Sequence, residues 1–343
     1  MKIIRKLILL LKKRRFDVVI YFFFEKFGIN IFTLRYPYSL LIEPTNLCNL
    51  SCPTCPTGSG KLNRHKRNMT FDEFEIIISQ IKNRVTEILL WNYGEPFLNK
   101  DLLKMIKCAS SANIDVITST NGQFFKSEKF CMDIVKSGLK HLIICLDGAD
   151  QDTLSKFRGK ADYNDIINGI KFIIAAKKKL SSKIPIVELQ FIVMKHNEHQ
   201  REIMKQIAKQ LSVDVYCEKT VVIYFNDPDF QHLSKELVPT DISSSRYTLK
   251  QDGTFELKGG IPNNCHIIDF QATINSDGTV LPCCYDLYSS YIMGNIFTEN
   301  LKIIWMNKKY RDFRKRIRTD RRSIPICNIC SEGRYKTSKS VSI

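Results

Sequence analysis

Residues 46–56 read NLCNLSCPTCP and place Cys48, Cys52 and Cys55 within eight positions of a 343-residue chain. Three thiolates at this spacing can hold metal, yet a closed structural site normally takes four protein ligands and a reactive site leaves one position open. The triplet therefore asks for a further molecule to complete it. A second set follows far downstream: Cys265, Cys283, Cys284, Cys327 and Cys330, the last two at C-x2-C spacing. Cys265, Cys283, Cys327 and Cys330 make a natural set of four, with Cys284 spare or interchangeable with Cys283. The spacing alone does not separate an iron–sulfur cluster from a four-cysteine zinc site there. With twelve cysteines grouped rather than spread, metal or cluster ligation in a reducing cytoplasm fits better than a disulfide scaffold, which a chain this long does not need.

The elements that must position these thiols alternate. SLLIEPT, EILLWN, DVITSTNG, HLIICLDG, VELQFIVM and DVYCEKTVVIY read as six apolar strands. Between them lie helical stretches: MTFDEFEIIISQIKNR, opened by a Thr70/Glu73 capping box, then Asp101–Ala112 and about 127–137, 162–180 and 198–211. Apolar runs without clean alternation argue for a parallel sheet buried on both faces. The expected fold class is α/β: a partial (β/α)6 TIM-like barrel with a small cysteine-rich C-terminal domain. Chemistry belongs at the C-terminal ends of such strands, where the first cysteine loop falls. Near residue 245 the texture becomes loop-rich. ATINSDGTVLPCC reads as a hairpin turning at Asp277-Gly278, and a basic helix from Asn300 to about Arg318 leads into the C-x2-C pair. The division expected is 1–38 as a basic and hydrophobic extension, 39–244 as the barrel, 245–331 as the cysteine module and 332–343 as a tail.

The net charge of +17 sits at the two ends. Residues 1–36 carry nine Lys/Arg against Asp17 and Glu25, and residues 301–343 carry thirteen against Asp312, Asp320 and Glu332, so residues 37–300 balance. Such ends suit an anionic membrane, an acidic partner or RNA, or are simply solvated basic helices. The runs Leu7–Leu11 and Val18–Phe24 are too short to span a bilayer, and Lys12–Arg15 stand where a signal cleavage site would be. An interfacial helix and simple packing on the barrel both remain open.

C-x3-C-x2-C directly after the first strand of a β/α array resembles the radical S-adenosylmethionine (SAM) superfamily. YGEP (Tyr93–Pro96) resembles that family's Gly-Gly-Glu-Pro motif; TSTNG and LDG match its strand ends; and FRG (Phe157–Gly159) resembles the Arg-Gly of members with a SPASM-type C-terminal domain. The resemblance runs from about residue 39 to 331. It implies that Cys48, Cys52 and Cys55 ligate three irons of a [4Fe–4S] cluster whose fourth iron takes SAM. An electron then splits a carbon–sulfur bond to give methionine and a 5′-deoxyadenosyl radical. It further implies Gly94 and Glu95 against the methionyl amino group, Ser119 and Asn121 toward the ribose, and Arg158 on the SAM carboxylate. The pattern C-x12-G-x4-C from Cys265 resembles a SPASM domain, which implies an auxiliary [4Fe–4S] cluster on the second set. The chain departs from the family in two places. Tyr93 replaces the first motif glycine, and Cys145 stands where many relatives carry serine. Cys108, Cys131 and Cys217 read as inert core residues.

Cys284 and Asp286, in PCCYD, are the candidates for substrate-side work: a thiol can return a hydrogen atom and a carboxylate can take a proton. Only 47 residues precede Cys48, short for an independent leader-binding domain, which favours a small substrate such as a sugar, cyclitol or lipid-linked saccharide that is oxidised or epimerised. A peptide or protein substrate is the alternative. RNA modification is less favoured, because KKYRDFRKRIRTDRR is basic without a recognisable RNA-binding module. A non-enzymatic iron–sulfur or zinc protein would leave the SAM motifs unexplained. Expected partners are an external electron donor such as flavodoxin or ferredoxin and, at the periphery, a membrane; the expected location is cytoplasmic.

Overall fold

The computed structural model describes residues 10–11, 13, 15–26, 34–224, 227–265, 267–330 and 338–343. Part of the first apolar run, Leu7–Leu9, and the start of the tail lie outside them. The first six strands are β1 (Ser39–Ile42), β2 (Glu87–Leu89), β3 (Asp115–Thr120), β4 (His141–Cys145), β5 (Ile186–Val193) and β6 (Val215–Thr220). All five neighbouring pairs among them are parallel, in sequence order. Helices Phe71–Ile81, Leu102–Ser111, Glu128–Lys136, Tyr163–Lys179 and Arg201–Gln210 connect them, close to the expected bounds. The protein is a partial TIM-like barrel, as its alternation predicts.

The capping box forms: Thr70 Oγ1 accepts from Glu73 N at 3.2 Å, and Glu73 Oε2 from Thr70 N at 2.8 Å. Phe74, Ile77, Ile78 and Ile81 make the buried stripe of that helix. They join Leu40, Ile88, Val116, Leu142 and Leu189 in one continuous core. Burying side chains of this size stabilises by roughly 1.5–3 kcal/mol each.

Two features were not legible in the sequence. The downstream hairpin is not a separate sheet. Its strands β9 (Gln271–Ile274) and β10 (Thr279–Leu281), with β11 (Gly294–Asn295), extend the barrel sheet because β9 pairs in parallel with β1. The turn is the expected one, with Gly278 at φ 80°. At the other edge the chain end forms β12 (Ser338–Ser342), antiparallel to β6 from Ser338 opposite Lys219 to Ser342 opposite Val215. The ten-stranded order is therefore β11-β10-β9-β1-β2-β3-β4-β5-β6-β12. A small ribbon, Tyr247–Leu249 with Phe255–Leu257, stands apart from it.

The basic C-terminal helix is broken into Leu301–Met306 and Lys308–Asp320, because Asn307 leaves helical geometry to cap the second piece through Tyr310 N. The N-terminal cations Lys13 and Arg15 are buried. Lys13 Nζ donates to Lys82 O and Val85 O, both at 2.7 Å, just ahead of β2. Arg15 reaches Tyr36 O, Pro37 O and Arg84 O and pairs with Asp17. Part of the N-terminal charge thus satisfies carbonyl groups at the strand N-terminal ends rather than facing solvent.

Candidate active site

A cavity of about 300 Å³ opens at the C-terminal ends of the strands. The loop after β1 brings Cys48, Cys52 and Cys55 to its wall, facing Gly94, Glu95, Ser119, Asn121 and Arg158 from the next strand ends. All the ligand and cofactor positions named for the first site thus line one cavity.

The cysteine loop is braced locally and from afar. Cys55 N donates to Cys52 O at 3.1 Å, and Leu50 N to Cys48 Sγ at 3.4 Å. Glu95 N donates to Leu47 O at 2.7 Å, and Gly94 fits beneath the loop at φ 111°. A Cβ on Gly94 would lie 2.4 Å from Thr45 O, so only glycine allows this approach. Burial pushes the Cys48 thiol up to about 11, with Glu95, Cys55 and Cys52 adding to it, and burial likewise raises Cys52. Neutral, crowded thiols in a partly dry pocket are a set that metal binding relieves.

Glu95 is 2% exposed, and its carboxylate accepts from Phe97 N, Thr120 Oγ1 and Asn121 N at 3.1, 2.8 and 2.8 Å. Burial outweighs these donors and raises its pKa to about 7. Asn121 Nδ2 donates to Asn49 Oδ1 at 2.8 Å, tying β3 to the cysteine loop, and Ser119 Oγ lies 3.6 Å from Cys145 Sγ. Arg158 ends the helix Gln151–Arg158, an element missed in the sequence, where Asp150 caps its start by accepting from Thr153 N. Its Nε donates to Asp147 Oδ2 at 2.6 Å, and its Nη1 lies 4.0 Å from Cys52 Sγ. Asp147, wholly buried, also accepts from Ile192 N. The LDG motif held this aspartate in view, but only its partners show what it does.

Tyr93, the motif departure, lines the cavity and donates through its hydroxyl to Cys284 O at 2.5 Å. Tyr224, just past β6, hydrogen-bonds Tyr93, and burial lifts both phenols above their ordinary range. A second cavity of about 360 Å³ shares Tyr224 and is lined by Tyr285, Leu287, Tyr288, Tyr291 and Ile326.

Of the second cysteine set, Cys265, Cys283 and Cys327 lie close enough to influence one another's thiols, and Pro325, Ile326 and Ile329 of the C-x2-C segment line the second cavity. Cys265 and Cys283 interact, and burial and Cys283 push the Cys327 thiol up to about 12 while Arg321 opposes them. Cys330 N donates to Cys327 O at 3.2 Å, closing the C-x2-C turn. Arg321, only 1% exposed, anchors on Asn264 O at 2.5 Å. Nothing in the local sequence marked this arginine as a neighbour of the thiols. Among the described residues, no three His, Cys, Asp or Glu side chains converge on a single-ion site.

Asp286, the second substrate-side candidate, belongs to the loop whose residues Tyr285, Leu287 and Tyr288 line the second cavity. It is 2% exposed, and its two oxygens accept from Ser290 N and Tyr291 N, both at 2.8 Å. The carboxylate closes its own loop and does not line the first cavity. Cys284 lies close enough to Tyr93 and Tyr224 to influence both phenols.

The radical SAM superfamily profile matches residues 42–207, and an iron–sulfur cluster-binding domain, SPASM, matches 265–331. The chain belongs to the radical SAM superfamily. Its cofactors are a [4Fe–4S] cluster and SAM, with auxiliary iron–sulfur binding in the SPASM module. Over 265 residues it is 23% identical to a GTP 3',8-cyclase of Clostridium botulinum, covering 72% of this chain and 81% of that protein. Among solved radical SAM folds it resembles BtrN in complex with AdoMet and 2-DOIA at a TM-score of 0.52, with 18% identity, covering 86% of this chain and 93% of that one. It also resembles Streptococcus suis SuiB bound to precursor peptide SuiA at 0.61, with 16% identity, covering 90% and 73%. No described helix of this radical SAM protein is long and apolar enough to cross a membrane.

Proposed function

We propose that this radical SAM enzyme abstracts a hydrogen atom from a small ring-shaped substrate, such as a sugar or cyclitol, and completes its oxidation or epimerisation. The observation that carries the reading is the second cavity of about 360 Å³, walled by tyrosines and joined to the first through Tyr224. Its size suits a small ligand, and aromatic faces suit the apolar face of a saccharide or cyclitol ring. At one edge of the sheet β6 is paired with β12, so a peptide would have to add to β12 and not to the barrel strand itself.

In this reading Cys48, Cys52 and Cys55 hold the first cluster, and Cys265, Cys283, Cys327 and Cys330 hold the second. SAM bound at the first cluster, given an electron from an external donor, supplies the hydrogen-abstracting radical. Arg158, fixed by Asp147, pairs with a carboxylate at the cavity wall. Glu95 and Asn121 hold the strand-end loops in register. Tyr93 and Tyr224 stand where the two cavities meet, exclude water and orient the reacting carbon of the substrate toward the SAM side. In an epimerisation the thiol of Cys284 would give its hydrogen atom to the substrate carbon, and the thiyl left behind would take an electron from the external donor and a proton from solvent. In an oxidation the substrate radical would instead lose a proton and an electron, and the SPASM cysteines would hold the cluster that accepts the electron.

The test is anaerobic turnover in D2O with low-molecular-mass and peptide fractions of a cell extract offered separately. Deuterium gained by a small product marks epimerisation, and loss of two hydrogens marks oxidation. SAM cleavage stimulated only by the peptide fraction overturns the small-substrate reading in favour of a peptide maturase, which the likeness to SuiB favours.

A further inference from the structure

We infer that the apolar helix Phe16–Lys26 and the basic helices Leu301–Met306 and Lys308–Asp320 together form a docking surface for an anionic lipid bilayer, on the side of the barrel away from the cysteine loop. The helix Phe16–Lys26 buries Val18, which packs with Leu10, Leu34 and Tyr38. Its other face leaves Phe16, Ile20 and Phe23 at 57%, 47% and 60% exposure, with Leu11 at 46% just ahead. Spacings of four and three put these three side chains on one helical face, a contiguous apolar stripe in water.

The basic segment comes to the same place. Helix Lys308–Asp320 lies against residues 268–269, where Arg314 Nε donates to Ile268 O and Arg318 pairs with Asp269. The next residue, Phe270, packs on the N-terminal cluster. Trp305 Nε1 donates to Leu34 O at 2.7 Å, joining helix Leu301–Met306 to the N-terminal segment. On these two helices Lys302, Lys309 and Lys315 are exposed, with Ile303 at 64%. The fold thus brings the apolar helix Phe16–Lys26 beside the basic helices Leu301–Met306 and Lys308–Asp320.

Apolar side chains with flanking cations are the composition of an interfacial anchor: the stripe enters the headgroup boundary and the cations meet anionic lipid. A second copy of this chain would bring like charge against like charge. RNA would reward the cations but not Ile20 or Leu11. The surface sits at the N-terminal ends of β1 and β9, where Tyr38 N donates to Phe270 O at 2.7 Å, whereas the cysteine loop follows the C-terminal end of β1. Docking there holds the enzyme at a membrane with its site facing away, so the surface anchors the protein and does not itself present a lipid substrate.

Flotation of the cluster-loaded protein tests this, with vesicles of phosphatidylglycerol plus phosphatidylcholine against phosphatidylcholine alone. The protein should float with the anionic vesicles only, and less as salt rises. Changing Phe16→Ser, Ile20→Ser and Phe23→Ser together should weaken binding about tenfold or more. Changing the exposed Lys302→Gln, Lys309→Gln and Lys315→Gln should weaken it by about tenfold and flatten its salt dependence. Circular dichroism and iron content read the folding of both variants independently. No flotation with either vesicle, undiminished flotation of the serine variant, a dimer dispersed by the serine changes, or salt-sensitive retention of RNA without vesicle binding would each overturn the inference.

Discussion

Tyr93 is where this chain differs most from its superfamily at the level of single side chains. A bulky phenol replaces a motif glycine, and its hydroxyl crosses from the barrel to the carbonyl of Cys284 at 2.5 Å. Tyr93→Phe removes the hydrogen bonds to Cys284 O and Tyr224 and little volume, costing about 1–3 kcal/mol in stability. Iron content and SAM binding should stay unchanged while product formed per SAM cleaved falls, read by quantifying 5′-deoxyadenosine against product; an unchanged ratio sinks the positioning role. Glu95 offers a pH test on the apoprotein. Its folded pKa of about 7 lies above the ordinary 4.5, so between those values the folded state binds a proton that the unfolded state has released. Its contribution is therefore most favourable below pH 4.5 and is lost as pH rises to 7, by on the order of 3 kcal/mol. Urea melts of wild type against Glu95→Gln should show this difference, and parallel curves would contradict it. The cysteines were readable from sequence because ligand spacing is local. Asp147, Asn49 and Arg321 were not recognised as supports, because each acts on partners made neighbours only by the fold.

At the scale of elements, the site depends on a loop pressed against a turn. Gly94→Ala places a methyl 2.4 Å from Thr45 O on a backbone at positive φ, which costs on the order of 1–3 kcal/mol and displaces the cysteine loop. Iron bound by the first cysteine set should fall while the second set keeps its iron; full occupancy of both would show that the loop tolerates the shift. The long amphipathic helices were legible because their apolar stripes repeat. The helix Gln151–Arg158 was not, since QDTLSKFR is short and mostly polar and its start is fixed by the Asp150 cap. The strand Ser338–Ser342 was read as a tail, because its partner, β6, lies more than a hundred residues away. Removing residues 338–343 uncovers the β6 edge and should lower Tm by a few degrees and promote association. An unchanged Tm with no added light scattering would mean that β12 contributes nothing.

Across the whole molecule, one sheet connects two cysteine centres. The parallel pairing of β9 with β1 fastens the SPASM hairpin beside the strand that feeds the first cysteine loop, and the two aromatic-walled cavities meet at Tyr224. Composition showed two cysteine sets and two basic ends; it could not show that the hairpin of the second set joins the barrel sheet, because that is set by strand order. The central claim is that each cysteine set holds its own iron–sulfur cluster. Its most direct test is the iron, sulfide and zinc content of anaerobically prepared protein, wild type against a variant carrying Cys48→Ala, Cys52→Ala and Cys55→Ala. About eight irons per chain falling to about four is the predicted result. Iron near four that vanishes in the variant, with one zinc retained, would contradict it and leave the C-terminal module as a structural clip.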